Sequence, residues 1–178
     1  VVFFALGFET TMPSTAMTVL EAERRGIDNF SLFCNHITIV PTIKAILDSP
    51  GMGIDGFIGP GHVAMVTGSA PFEFIAAQYK RPLVISGFEP TDILQSLLMV
   101  LQQLEQGRAA IENQYARLVD PGGNTVALEA ITRVFELREF FEWRGLGSID
   151  HSGIRMREAY ARYDAEREAA SRDPGSRQ

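Results

Sequence analysis

One cysteine, Cys34, occurs in 178 residues, so no internal disulfide can form and the expected setting is a reducing cytoplasm. The three histidines, His36, His62 and His151, lie far apart in sequence. With a single thiol there is no recognised metal-ligand spacing, and the chain alone cannot hold an iron–sulfur cluster. No basic run occurs, and a net charge of −6 argues against nucleic acid as a partner. No apolar stretch reaches the roughly 18 residues of a membrane span, so no membrane is expected either. A charged leader region and a cleavage site are also missing. Val1 opens directly into an apolar strand, from which we expect a longer protein on the N-terminal side.

What is present describes an ordinary globular protein: 46% hydrophobic and 21% charged residues, enough to bury a core as one domain or two small ones. Two stretches stand out because they nearly repeat. Val1-Val2-Phe3-Phe4-Ala5-Leu6 runs into Gly7-Phe8-Glu9-Thr10-Thr11, and Pro82-Leu83-Val84-Ile85-Ser86 runs into Gly87-Phe88-Glu89-Pro90-Thr91. Each reads as an apolar strand, then Gly-Phe-Glu, then a helix start. A carboxylate at the C-terminal edge of a strand, beside a helix N-terminus, is where open α/β sheets place ligand contacts.

The remaining pattern alternates strands with helices. Val1–Leu6 predicts a parallel strand buried on both faces. Met12–Arg25 predicts a helix stopped by Gly26. Strands follow at Phe30–Cys34, Asp55–Ile58 and Leu83–Ser86, and helices at Val40–Leu47, Pro71–Tyr79 and Thr91–Leu104. The last places Ile93, Leu94, Leu97, Leu98, Leu101 and Leu104 on one face. Beyond Gly107 a mixed stretch leads to a helix at Thr125–Phe135, an aromatic-rich stretch at Phe140–Leu146 and a helix at about Ile154–Tyr163. Trp143, Phe140, Phe141 and Phe135 are expected to form an aromatic core cluster. From Asp164 the composition turns charged and small, as in a disordered tail.

Several residues could carry chemistry, each with a plainer alternative. Gly59-Pro60-Gly61-His62 follows a strand, so its backbone can approach a ligand, and His62 could donate or relay a proton. It could equally be a tight strand-to-helix turn in which His62 packs. Glu9 and Glu89 could contact a ligand or act as bases, or each could bond the N–H groups of the helix that follows. Thr10, Thr11, Ser14 and Thr15 form a hydroxyl-rich helix start that caps, lines a polar wall, or does both. Thr91 and Asp92 admit the same two readings. Cys34 ends an apolar strand and reads as a core thiol.

The motifs in this order resemble the HypD family of [NiFe]-hydrogenase maturation proteins. The matching stretches are Gly7-Phe8-Glu9-Thr10-Thr11, Asp55-Gly56-Phe57-Ile58-Gly59-Pro60-Gly61-His62-Val63 and Gly87-Phe88-Glu89-Pro90-Thr91-Asp92-Ile93-Leu94. They continue with Asn113-Gln114-Tyr115-Ala116-Arg117 and Trp143-Arg144-Gly145-Leu146-Gly147, then Ser152-Gly153. The resemblance implies a scaffold on which an iron carrying two cyanides and one carbon monoxide is assembled. Implied partners are a HypC-like small chaperone, the HypE–HypF cyanide-delivery pair and the hydrogenase large-subunit precursor. A 4Fe-4S cluster and the Fe(CN)2CO unit are implied for the full-length family member, none of it held by this segment. The family's cysteine motifs are absent here, and Cys34 matches none of them.

The expected architecture is α/β, with parallel-sheet βαβ units in two lobes facing a cleft and a mostly helical C-terminal segment. Residues 1–28 would belong to the first lobe and 29–108 to the second. Residues 109–163 would cross back, and 164–178 would be a tail. The candidate site residues are Glu9, Thr10, Thr11, Gly59, Gly61, His62, Glu89 and Asp92, as cleft walls and not as metal ligands. As isolated, the segment is expected to be inactive. The rival expectation is a small-molecule binding or transferase domain using the Gly-Pro-Gly-His turn for a phosphate or carboxylate.

Overall fold

Val2–Gly7 forms β1 and Ser31–His36 forms β2. They pair in parallel from Val2 opposite Ser31 to Gly7 opposite His36. The computed structural model of the protein describes residues 1–167. Helix α1, Met12–Arg25, joins the two strands. Its start is set by Pro13, tolerated in a first turn because that N–H has no helical partner. Its end is set by Gly26, which adopts the left-handed conformation at φ 66°. The face it buries is Met12, Thr15, Ala16, Val19 and Ala22, the spacing of one helical stripe.

Two compact units divide the chain. Val1–Pro41 and the segment from Glu129 onward make the first, and Thr42–Leu128 makes the second. The boundaries expected at 29 and 108 differ from these because β2 hydrogen-bonds to β1 and so stays in the first unit. Helix α2, Ile39–Leu47, carries the chain from the first unit to the second.

The second unit is built on a parallel three-stranded sheet, β3 (Phe57–Pro60), β4 (Leu83–Ser86) and β5 (Ile111–Asn113), with β4 in the middle. Between β3 and β4 lie α3 (Gly61–Thr67), a 3₁₀ turn at Ala70–Phe72 and α4 (Glu73–Tyr79). Helix α5, Pro90–Glu105, crosses from β4 to β5. All four residues of β4 are buried, as a central parallel strand requires. Val63, Ala64, Phe72, Ile75 and Val100 of this unit are buried as well.

Helix α6, Thr125–Val134, returns the chain to the first unit. There β6 (Phe135–Leu137) pairs antiparallel with β9 (Ile154–Met156), and β7 (Phe140–Trp143) pairs antiparallel with β8 (Gly147–Asp150). The core of this unit joins Met12, Val19, Leu32 and Cys34 to Val134, Phe135, Ile154, Met156 and Tyr163. No helix among the described residues is long and apolar enough to cross a membrane.

Four expectations are corrected here. β1 is not buried on both faces: Ala5 is buried, but Val2, Phe3, Phe4 and Leu6 are exposed. Among the described residues it pairs only with β2, so one edge and much of its surface lack a covering layer. The C-terminal segment is not mostly helical, because Ile154–Met156 pairs as a strand and Glu158–Tyr163 forms a 3₁₀ turn. The aromatic core cluster is also not formed as expected: Phe135 is core and Phe141 and Trp143 are half-buried, while Phe140 is exposed. Finally, ordered structure continues past Asp164, which bridges Leu32 and is followed by buried Ala165. The rest of the expected tail, residues 168–178, lies outside the described residues.

Candidate functional site

The candidate residues form two groups, one in each unit. In the first, β1 ends at Gly7, whose φ of 147° places it where a side chain is strained. A Cβ there would also collide with the Thr11 hydroxyl. Phe8-Glu9-Thr10 then turns the chain into α1. Thr11 Oγ1 donates to the Phe8 carbonyl at 3.1 Å, and the Thr11 carbonyl accepts from the hydroxyls of Ser14 and Thr15 at 3.0 Å each. Thr10 is exposed beside them.

Glu9 points inward and is 6% exposed. Its Oε1 accepts the backbone N–H of Ile39, the first residue of α2, at 2.8 Å. Its Oε2 is buried with no partner among the described residues. Burial pushes the carboxyl above its ordinary range, opposed mainly by the Ile39 N–H bond. So Glu9 does bond a helix start, but that of α2 and not that of the helix following it.

His36, at the end of β2, completes this group. Its Nδ1 lies 3.3 Å from both Thr11 Oγ1 and the Gly7 carbonyl, and its Nε2 lies 3.1 Å from Thr15 Oγ1. Burial holds the imidazole below its ordinary pKa. A neutral ring thus ties Gly7, Thr11 and Thr15 together. The parallel register explains it, since Gly7 and His36 are paired positions. No spacing in the sequence announces that pairing.

The second group lies at the C-terminal edge of β3 and β4. Gly59 and Gly61 bracket Pro60, as the turn required. Both positions are set by packing. A Cβ at Gly59 would approach Leu83 Cδ2 to 2.8 Å. One at Gly61 would overlap the Ser86 carbonyl and come within 2.8 Å of the Tyr115 ring. His62 is exposed at the start of α3, with its ring centroid 4.3 Å from that of Phe88 and 6.3 Å from that of Tyr115. Glu89 is the exposed N-terminal cap residue of α5 and makes no side-chain cap bond.

Asp92 is buried one turn along α5 and is fully engaged. Arg117 grips it with two bonds of 3.0 and 2.6 Å, and Gln114 adds a third at 2.8 Å. Arg117, then Gln114, holds the carboxyl below its ordinary range. Gln114 also accepts the Gly87 N–H at 3.2 Å, and the Arg117 guanidinium lies 4.5 Å over the Tyr115 ring. Asp92 therefore braces the turn, and Glu89 and His62 are the groups left facing outward. The bracing trio Gln114, Tyr115 and Arg117 sits just past β5. Nothing local in the sequence assigns these three residues that role, because the partner of Asp92 is twenty-five positions away.

Among the described residues, no group of three or more His, Cys, Asp or Glu side chains could hold a metal ion. Cys34 does not suit a cluster. It is buried, its thiol contacts the Ile154 carbonyl at 3.5 Å, and burial raises its pKa to about 11. Each group offers polar atoms of its own: hydroxyls and a half-satisfied buried carboxyl in the first, an exposed carboxylate and an imidazole in the second.

Comparison with known proteins agrees with the motifs. The whole chain, residues 1–178, matches the family model HypD, described as the hydrogenase formation hypA family. The hydrogenase maturation factor HypD of Rhodobacter capsulatus is 64% identical over 166 residues, 93% of this chain and 44% of its own length. The hydrogenase expression/formation protein HupD of Azotobacter chroococcum mcd 1 is 53% identical over 96% of this chain and 46% of its own. HypD of Escherichia coli K12 is 50% identical over 93% of this chain and 44% of its own. The chain spans a little under half the length of these relatives. With a family model covering every residue and the Gly-Phe-Glu turns both in place, the chain belongs to the HypD family of hydrogenase formation proteins.

Proposed function

We propose that the protein acts in hydrogenase maturation, as a scaffold on which the Fe(CN)2CO unit of the [NiFe] active site is assembled, and that this segment supplies polar walls for that cargo and not the ligands of its iron. The observation that carries this reading is the twin Gly-Phe-Glu turn. Each ends a parallel strand, each opens a helix, and each leaves an oxygen of its glutamate unspent. Cyanide ligands on iron are anionic hydrogen-bond acceptors. Donors of the kind that would hold them are present in each unit: the exposed Thr10 hydroxyl in the first and the exposed His62 ring in the second. Soft thiolates for the iron come from outside this segment, since Cys34 is buried and protonated.

On this reading the partners are a HypC-like small chaperone, the HypE–HypF pair that delivers cyanide, and the hydrogenase large-subunit precursor, all in the cytoplasm. Any 4Fe-4S cluster belongs to other parts of the full-length protein. The test is Glu89→Gln in the full-length protein. The exposed Glu89 side chain makes no internal bond that the fold depends on. Hydrogenase maturation is therefore expected to be lost while the thermal unfolding midpoint stays essentially unchanged. Normal maturation in that variant removes Glu89 from the site.

A further inference from the structure

We propose that His36 is a positioning residue for the first Gly-Phe-Glu turn: with a proton on Nδ1 it clamps the Gly7 carbonyl and so fixes where Thr10 stands. This role rests on the reading above, in which the turn faces an iron–cyanide cargo. The acceptors around the ring assign the proton. Nδ1 lies 3.3 Å from the Gly7 carbonyl, which can only accept. A bare Nδ1 would set a lone pair against that oxygen. Thr11 Oγ1, also 3.3 Å from Nδ1, gives its own proton to the Phe8 carbonyl at 3.1 Å and so accepts as well. Nδ1–H therefore serves both oxygens, and Nε2 is the acceptor of the neutral ring. Thr15 Oγ1 shares its one proton between Nε2 at 3.1 Å and the Thr11 carbonyl at 3.0 Å. Turning the ring over would set carbon against these oxygens. The imidazole is 1% exposed, and the Phe135 ring stands edge-on to it. Gly7 makes the arrangement possible, because a Cβ there would collide with Thr11 Oγ1.

The segment from His36 to Ile39 grips the turn from one side. The Gly7 carbonyl accepts from His36 Nδ1 and, at 3.0 Å, from the Ile37 N–H. Glu9 Oε1 accepts the Ile39 N–H at 2.8 Å. Thr38, between them, is itself tied by its N–H to the Ser152 carbonyl at 2.8 Å. Phe8, Glu9 and Thr10 are thus strung between this clamp and α1. Of the hydroxyls at the helix start, those of Thr11, Ser14 and Thr15 give their protons to backbone carbonyls. Thr10 is exposed and is the hydroxyl left to a cargo. His36 touches no cargo and acts only through the backbone it holds. Preorganised donors of this kind lose their effect when the group behind them is loosened.

The test uses the full-length protein and two substitutions. The amide nitrogen of asparagine takes the place of Nδ1, and that of glutamine reaches the place of Nε2. His36→Asn therefore keeps the bond to Gly7, whereas His36→Gln exchanges it for one to Thr15. Both remove the ring from a buried site, so a merely structural role would move both variants alike. Hydrogen exchange of peptides covering residues 37–39 is expected to match the parent in His36→Asn and to run about two- to tenfold faster in His36→Gln. In cargo-loaded protein the infrared cyanide bands should keep their positions in His36→Asn and shift or vanish in His36→Gln. Nuclear magnetic resonance of 15N-histidine-labelled parent protein, with the His36 signals identified by their loss in His36→Asn, should show a proton on Nδ1. A bare Nδ1 overturns the proposal, and that result needs no variant to fold. Equal exchange in the two variants, or cyanide bands unchanged in both, also overturns it. The nitrogen signals and the exchange are read without cargo, so they judge the clamp alone. Cyanide bands missing from the parent itself would instead count against the cargo reading.

Discussion

Replacing Gly61 by alanine sets two opposing effects against each other. Gly61 is the first residue of α3, where alanine improves helix propensity by up to about 1 kcal/mol. The added Cβ would overlap the Ser86 carbonyl and crowd the Tyr115 ring at 2.8 Å. Overpacking of this kind costs about 1–3 kcal/mol. Here the upper part of that range applies, because the blocking atom is backbone of the central strand β4 and cannot rotate away. The net expectation is a loss of about 1–2 kcal/mol, a fall of roughly 2–8 °C in the unfolding midpoint of a chain this size. The assay is a thermal melt followed by circular dichroism, with Gly53→Ala as the internal control. At Gly53 nothing lies within 4 Å of the added Cβ, so that midpoint should stay level or rise slightly. The reasoning is refuted if Gly61→Ala melts at or above the parent protein.

Other expectations follow from the same geometry. Glu9 has a folded-state pKa raised by burial, so the fold holds its proton more tightly than the unfolded chain does and stability falls as pH rises above about 4.5. Glu9→Gln removes that loss, and urea unfolding at several pH values should show its advantage over the parent growing with pH. A constant difference would contradict a carboxyl whose pKa burial raises. Asp92 has its pKa lowered by Arg117 and Gln114, so its contribution holds above the ordinary carboxylate range and disappears as pH falls through the lower value. Asp92→Asn should flatten that acid limb in the same titration. The Cys34 thiol, raised to about 11, should resist iodoacetamide in the folded protein at mildly alkaline pH and react once urea unfolds the first unit. Trp143, the sole tryptophan, donates to Ser152 Oγ at 2.8 Å, so Ser152→Ala should shift its emission, read directly by fluorescence.

Local signals in the sequence were strong where a single residue enforces them. Gly26 ends α1 as the pattern predicted, and the helix runs from Met12 to Arg25. The alternation of apolar runs with helical stripes pointed to parallel strands joined by helices, and both parallel sheets have that form. What stayed hidden depends on partners distant in sequence. The apolar run of β1 looks buried on both faces, but its burial depends on neighbours a strand does not encode. Ile154–Tyr163 carries helical spacing, yet Ile154 finds Leu137 across an antiparallel pair. On α5 the leucine stripe is plain to read, but periodicity alone cannot say that it faces solvent. At the site, Glu9 and Asp92 both stand out in sequence. That one bonds Ile39 and the other Arg117 is settled only by where α2 begins and β5 ends.

The central claim, that these polar groups hold the cyanide ligands of an iron unit, is tested most directly by infrared spectroscopy of the full-length protein purified with its cargo. The account predicts cyanide and carbon monoxide stretching bands in the parent protein. In Glu9→Gln combined with Glu89→Gln the cyanide bands should shift or vanish, with the fold intact by circular dichroism. Cyanide bands at the same positions and intensities in both proteins would contradict it.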